Sequence, residues 1–389
     1  MLSDLAFFEE ESRHFLPAPP ASEAEELARL RLIRSHRVGP MTFRRLMAEH
    51  GSAPAALAAL PDIARSAGVA AYRPCSEADA QAEWDRAARL GHRPLFLGQP
   101  DYPAHLADAP DAPPFLWAAG RLDLLGQPLV ALVGARNASA LGMRMAARLA
   151  RDLGAAGIGI VSGLARGIDA AAHDAACPTG TVAVIAGGLT RIAPQANRPL
   201  AERIAREGLL LSEMPPDLQP QPRHFPQRNR IIAGLAGALV VVEGATRSGS
   251  LITARAALDL GRDVMAVPGH PMDARAGGCN MLIRDGATLV RGAEDILAQF
   301  SCESLQPTSP DPVPVAKRTP TPQAEPEQPP EPEDDCARLM RLLGPSPVAL
   351  DRVQSDSRLP ADRFASALVT LELQGRVQRI AGGQVAALP

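Results

Sequence analysis

Lysine is almost missing from this 389-residue sequence: all but one of its 40 basic residues are arginine, Lys317 being the exception. High-GC codon usage accounts for such a bias, although arginine also suits bidentate contacts with phosphate. Long apolar runs are missing too. The longest, Ile231 to Val242, falls short of the roughly 18 residues that a membrane span requires and is bounded by Arg230 and Glu243; it reads as a buried strand with its approach. Met1 to Phe15 carry acids where a secretory signal has a basic stretch and an apolar core, so the chain is expected to be cytoplasmic. The five cysteines, Cys75, Cys177, Cys279, Cys302 and Cys336, are an odd count without C-x-x-C spacing, which argues against a disulfide framework or a zinc site. A net charge of −3 excludes a uniformly basic nucleic-acid binder, so local patches must carry any such binding.

What is present is apolar residue, 46% of the chain, enough at this length for two or three domains. The clearest boundary is Gln306 to Glu333, where ten prolines mix with polar residues and no apolar period survives. We expect a linker over residues 303–333 and a small module over 334–389. Residues 1–95 read as a helical domain, in which the turn Val38-Gly39-Pro40 separates two amphipathic helices and Gly51 closes the second. Such a hairpin can present backbone N–H groups to phosphate and is equally a generic helical bundle. Across 96–302, short β-branched runs at 128–134, 157–163, 181–188, 238–244 and 263–269 alternate with amphipathic stretches such as 143–157 and 251–261. Continuous apolar strands between helices predict an α/β, doubly wound parallel sheet covered on both faces. The final module reads as three helices and a hairpin turning at Gly382-Gly383, the winged-helix order.

In an open parallel sheet, ligands bind beyond the carboxyl ends of the strands. Four segments there are rich in phosphate donors. The first holds Gly134, Arg136 and Ser139, and offers a guanidinium, a hydroxyl and backbone N–H groups at a helix start. The second holds Ser162, Gly163 and Arg166, with Asp169 as a helix cap and His173 as a packed histidine. The third, His224 to Arg230, sets Phe225 to stack a base and Arg228, Asn229 and Arg230 to hold phosphates or a base edge; an arginine here also suits pairing with Glu213 or Glu243. The fourth holds Ser248, Gly249 and Ser250 at another helix start. So many anion cradles on one sheet edge suit a chain of phosphates better than one small ligand. The G-x-G-x-x-G and G-x-x-x-x-G-K-[ST] spacings are absent, as are a Cys/His cluster and a G-x-S-x-G elbow. No cofactor, metal or catalytic residue is expected.

Taken in order, these strings resemble the DprA/Smf (DNA processing protein A) family: Gly134 to Gly142, Ser162 to His173, Val182 to Leu189, Ser212 to Pro215, Phe225 to Leu235, Val241 to Ala257, Gly261 to Gly269 and Gly278 to Ala287. The resemblance implies an extended Rossmann-like domain that dimerises, an N-terminal SAM-like helical domain and a C-terminal winged helix. It also implies binding and protection of single-stranded DNA in natural transformation, and loading of the RecA recombinase. Gly180 stands where the family often has a basic residue, so Arg166 or Arg191 would have to substitute there. The competing expectation is a nucleotide-processing enzyme similar to the lysine-decarboxylase-like phosphoribohydrolases. Those carry a glutamate soon after their glycine-rich loop, whereas here no acid follows Ser248 until Asp259.

Overall fold

The computed structural model describes residues 15–300, save 67 and 70, and a subset of residues 335–387. They belong to two compact units, one up to Phe300 and one from Asp335. Cys302, the proline-rich stretch and the Gly382-Gly383 turn lie outside the described residues. Among the described residues no helix is long and apolar enough to cross a membrane.

Helix α1 (Glu23–Arg34) begins at Ser22, whose hydroxyl accepts the Glu25 N–H, with acids in its first turn and Arg31 and Arg34 in its last, as the helix dipole favours. Helix α2 (Pro40–His50) has proline at its first position and stops at Gly51, whose φ of 72° is left-handed. With α3 (Ala53–Ser66) they close over Phe43, Leu46 and Leu57, while α4 (Glu77–Arg89) packs Ala80 and Ala87 into a separate cluster with Leu30, Phe96 and Trp117. Arginines tie this bundle to the α/β domain. Arg44 donates to the carbonyls of Ala107 and Ala109, each at 3.0 Å. Arg34 grips Glu83 through two bonds of 2.9 and 2.8 Å, and the same carboxylate accepts the Trp117 indole N–H at 2.7 Å.

Nine strands form the central sheet: β1 (Arg93–Phe96), β2 (Phe115–Gly120), β3 (Leu129–Gly134), β4 (Gly159–Ser162), β5 (Thr181–Val184), β6 (Leu209–Ser212), β7 (Ala238–Glu243), β8 (Asp263–Ala266) and β9 (Thr288–Leu289). Their order is β1-β2-β6-β5-β4-β3-β7-β8-β9. The run from β6 to β9 is parallel, while β2 adds antiparallel to β6 and β1 to β2. Sequence reading missed this antiparallel pair, since β1 is four residues long and carries Pro94, which an edge strand tolerates. It also straddles the expected boundary at residues 95/96.

Helix α5 (Ala104–Ala107) lies between the antiparallel β1 and β2. Crossovers are made by α6 (Ala140–Ala155), α7 (Ile168–Ala176), α8 (Arg198–Glu207), α9 (His224–Leu235), α10 (Gly249–Asp259) and α11 (Gly277–Arg284), while α12 (Ala293–Phe300) follows β9. Alternate residues of β3 serve opposite faces: Val130 and Leu132 pack with Leu149 and Leu153 of α6, Ala131 and Val133 with Ile231, Ile232 and Leu235 of α9. Burial on both faces is why the strands read as unbroken apolar runs. One expectation is corrected here. The apolar stretch from Ile231 does not begin a strand; it finishes helix α9, and β7 starts at Ala238. A buried helical turn running into a buried strand shows no break in apolar content, so periodicity alone does not divide them.

The winding direction reverses between β3 and β7, and a crevice opens at that reversal. In the second unit, α13 (Asp335–Leu342) and the antiparallel order of β10 (Val348–Ala349), β12 (Gln384–Ala387) and β11 (Val377–Ile380) enclose Leu339, Phe364, Leu368, Leu371 and Val377.

His173 is packed under the sheet edge, as expected. The Thr181 hydroxyl donates to the Ile160 carbonyl at 3.1 Å, so it accepts from His173 Nδ1 at 2.7 Å. Burial, with Arg228 nearby, lowers the imidazole from 6.5 to about 3. Between those values the unfolded chain takes up a proton that the fold refuses. Stability is therefore intact above pH 6.5 and falls towards pH 3 by at most about 1.4 kcal/mol per pH unit. Thermal melts at about pH 7.5 and about pH 5 should show a larger loss of Tm for the native chain than for His173→Gln. Equal losses would remove His173 as the cause.

Candidate nucleic-acid interface

A groove of about 700 Å³ occupies the reversal between β3 and β7. Three of its sides are the turn after β3, the turn after β4 and the start of α10. The fourth is α9, which presents Phe225, Arg228, Asn229 and Ile232, spaced i, i+3, i+4, i+7, as one helical face. Arg136 leaves the β3 turn and lies over the Phe225 ring, 5.1 Å from its centroid, a cation–π pair at the groove mouth. On the far side of that pair a smaller cavity of about 230 Å³ is lined by Arg136, Arg166 and Arg228.

Arg228 is the buried base of both cavities. Its Nη1 donates to the Val184 carbonyl at 2.7 Å, which is the guanidinium's one hydrogen bond among the described residues. Burial draws its pKa down to about 10, with Arg136 adding and Asp169 opposing, so the group stays charged at neutral pH. Asp169 is itself buried, and that burial raises its pKa; its Oδ2 accepts the N–H groups of Gly163 (3.2 Å) and Ala165 (3.3 Å), which shapes the β4 turn. In that turn Leu164 has a left-handed φ of 57°, held by burial of its side chain and by Asn197 Nδ2 on its carbonyl at 2.9 Å.

The remaining residues singled out by sequence divide by location. Ser248 and Ser250 share a hydrogen bond of 2.7 Å at the start of α10 and line the groove with Gly249. Gly134 lines it too, packed so closely that a Cβ there would meet Ile168 at 2.5 Å. Arg166 is exposed beside the smaller cavity. Ser162 is fully buried and donates to the Leu132 carbonyl at 2.6 Å, away from the groove. Arg230 points away as well: it pairs with Glu213 at 2.6 Å and bonds the Asp111 carbonyl. Ser139 caps α6 through the Gly142 N–H at 2.9 Å and lines a different cavity. Its own N–H is taken by Glu243 Oε2 at 2.8 Å, so a carboxylate of the protein already fills that helix start. Sequence reasoning missed Arg275, which lines the groove from the segment after β8 and is held by Asp273 at 2.9 Å. A long loop with a D-x-R pair gave no signal of where it folds back.

Gly163 makes the sharpest test of this arrangement. A Cβ there would lie 2.0 Å from Arg228 Nη1, whose position the Val184 carbonyl fixes. Gly163→Ala should cost about 2 kcal/mol or more in denaturant unfolding. Gly249→Ala, with nothing within 4 Å of the new methyl, should stay within about 0.5 kcal/mol. Similar losses for both would mean that the guanidinium yields freely.

Comparison with known proteins matches three successive segments of the chain. The family model of DNA recombination-mediator protein A matches residues 93–301, that of the DprA-like N-terminal HHH domain residues 23–86, and that of the DprA winged helix domain residues 323–383. DNA processing protein DprA of Streptococcus pneumoniae is 47% identical over 51% of this chain and 71% of that protein. Protein Smf of Escherichia coli is 37% identical over 73% of this chain and 74% of that one. Among solved structures, DNA processing protein A of S. pneumoniae superposes with a TM-score of 0.53 at 40% identity, over 62% of this chain and 86% of that one. The Helicobacter pylori protein, whose structure concerns a single-stranded DNA binding mode, gives 0.50 at 28% identity, over 54% and 95%. The central match alone spans more than half of the sequence, and the chain belongs to the DNA recombination-mediator protein A (DprA) family.

Proposed function

We propose that this chain binds single-stranded DNA in the groove between β3 and β7 and acts on it as a recombination mediator rather than as an enzyme. One observation carries the reading. A charged guanidinium, Arg228, is buried at the base of two adjoining cavities with a single carbonyl as its hydrogen-bond partner among the described residues. A buried charge in that condition calls for an anion. A phosphate reaching it passes between Arg136, Arg275 and the hydroxyls of Ser248 and Ser250. The base attached to that phosphate meets the Phe225 ring and Ile252, which is 53% exposed. Stacking on a ring requires a base whose face is free, which a duplex does not offer, and it tolerates any base.

Among the described residues Asp169 is the one carboxylate lining the groove, and it is engaged with backbone N–H groups; Asp259 lies at the opposite end of α10, paired with Arg255 at 3.2 Å. That arrangement favours a binder over a phosphoribohydrolase. The H. pylori relative supports the strand preference. Family membership supports the mediator role, in which we place protection of incoming strands in the cell interior, hand-over to the RecA recombinase and pairing of two copies through the central domain.

Affinity for oligo-dT should fall with salt, and Arg136→Ala should weaken it about 10-fold while reducing the slope of log K against log salt by about 0.7. Phe225→Ala should remove about 1–3 kcal/mol of binding with little change in that slope. Fluorescence anisotropy across a salt series reads both. Binding by the folded double variant as tight as that of the native chain would overturn the assigned groove.

A further inference from the structure

A second cavity, of about 460 Å³, opens on the other side of the turn that carries Arg136. Its walls are α6, through Leu141, Arg144 and Arg148, and the segment after β8, through His270 and Asp273. The two cavities are neighbours. Arg136 and Asn137 line the first and Ser139 the second, so the partition on this side is a few residues of one turn. On the other side it is an ion pair, since Arg275 lines the first cavity and Asp273, 2.9 Å from it, lines the second.

The charges of the second cavity are unevenly satisfied. Its acids are engaged: Asp273 by Arg275, and Glu243 by the Ser139 N–H at 2.8 Å and Arg275 at 3.9 Å. Its cations are not. Arg144 and Arg148 line it, and Arg151, beyond the lining, continues the same exposed side of α6 at i, i+4, i+7. Among the described residues Arg148 has only an exposed partner, Asp152 at 3.4 Å, and such pairs contribute little. Arg144 and Arg151 have no carboxylate within 4 Å among the described residues. Large apolar side chains open to solvent stand nearby: Leu141 at 70% exposure on one wall, and Met272 at 87%, beyond the lining, in the turn between His270 and Asp273 of the other. Free guanidinium groups next to exposed apolar side chains are complementary to nucleotides, which bring phosphate and a flat apolar face together.

We infer that a strand held in the first groove continues over the turn at residues 136–139 into this second groove. There its phosphates run along Arg144, Arg148 and Arg151 and its bases contact Leu141 and Met272. From Arg144 to Arg151 the helix advances about 10 Å, and the long side chains let the three guanidinium groups reach separate phosphates of a single strand laid along it. This rests on the reading of the first groove as a DNA site, and the test separates the two.

The full-length chain and a variant carrying Arg144→Ala, Arg148→Ala and Arg151→Ala are titrated with oligo-dT of about 6 and about 24 nucleotides over a salt series. All three positions are solvent-exposed, and a thermal melt confirms the fold. Expected is unchanged affinity for the short oligonucleotide, about 10-fold or greater loss for the long one, and a long-oligonucleotide slope shallower by about 2, near 0.7 per phosphate contact. Unchanged long-oligonucleotide affinity and slope would overturn the second groove and leave α6 to a protein partner. Equal loss for both lengths would overturn it as a separate subsite. A native chain that binds neither length overturns the first groove, and the second with it.

Discussion

The site depends on one buried positive charge. Arg228 enters the protein from α9, passes beneath the β4 turn and ends against the carbonyl of Val184. Several otherwise separate choices of residue answer to it. Position 163 has no side chain because the guanidinium lies where a Cβ would be. Asp169 balances the charge from a distance while its oxygens order the turn above. Leu164, the residue after position 163, bears a left-handed backbone held by burial of its side chain and by Asn197 on its carbonyl. The cost of desolvating such a group is large, and here a single carbonyl and a carboxylate at a distance offset it among the described residues.

A second constraint concerns the helix start at which a Rossmann-like sheet usually offers its pyrophosphate position. In the usual arrangement the helix after the first strand offers its start to a pyrophosphate. Helix α6 is built the same way, yet Glu243 from the neighbouring strand β7 already sits there, accepting the Ser139 N–H. The fit needs Gly142, where a Cβ would approach Glu243 Oε2 to 2.6 Å. The position of strongest attraction for a small phosphate ligand is closed by the protein's own carboxylate. What stays open is a row of separate donors around it, Arg136, Arg275 and the hydroxyls of Ser248 and Ser250.

Sequence patterns made the α/β alternation, the flanking helical modules and the turns bearing Arg136, Arg166 and Ser248 legible, because turn chemistry and strand period are local. They did not divide the string Phe225 to Arg230 correctly. Treated as an extended approach to a strand, it offers Arg228, Asn229 and Arg230 as three adjacent donors. As a helix it turns by about 100° per residue, so Phe225, Arg228, Asn229 and Ile232 share the groove face while Arg230 turns to Glu213. Nothing local marks that difference, since Phe, Pro, Gln, Arg and Asn suit either reading. Ser162 was misleading for a related reason: a strand-end serine looks like an anion donor until the neighbouring strand's Leu132 carbonyl claims its hydroxyl. Arg275 and Glu243 become site residues only through tertiary folding.

Helix α9 also accounts for the rigidity that such a site needs. Its first turns line the groove, while its lower half is clamped: Arg230 bonds Glu213 and the Asp111 carbonyl, and Gly234 admits Leu106 so closely that a Cβ would lie 2.6 Å from it. Leu106 and Asp111 belong to the same segment whose Ala107 and Ala109 carbonyls receive Arg44 from the helical bundle. Phe225 and Arg228 are thereby fixed to a lever anchored at its far end by two arginines from different parts of the chain. A loop carrying the same two residues would have to be ordered by the ligand, and that ordering entropy would be charged to every nucleotide bound. Placing them on a buried helix moves the cost into folding, where the apolar contacts of Ile231, Ile232 and Leu235 offset it before any ligand arrives.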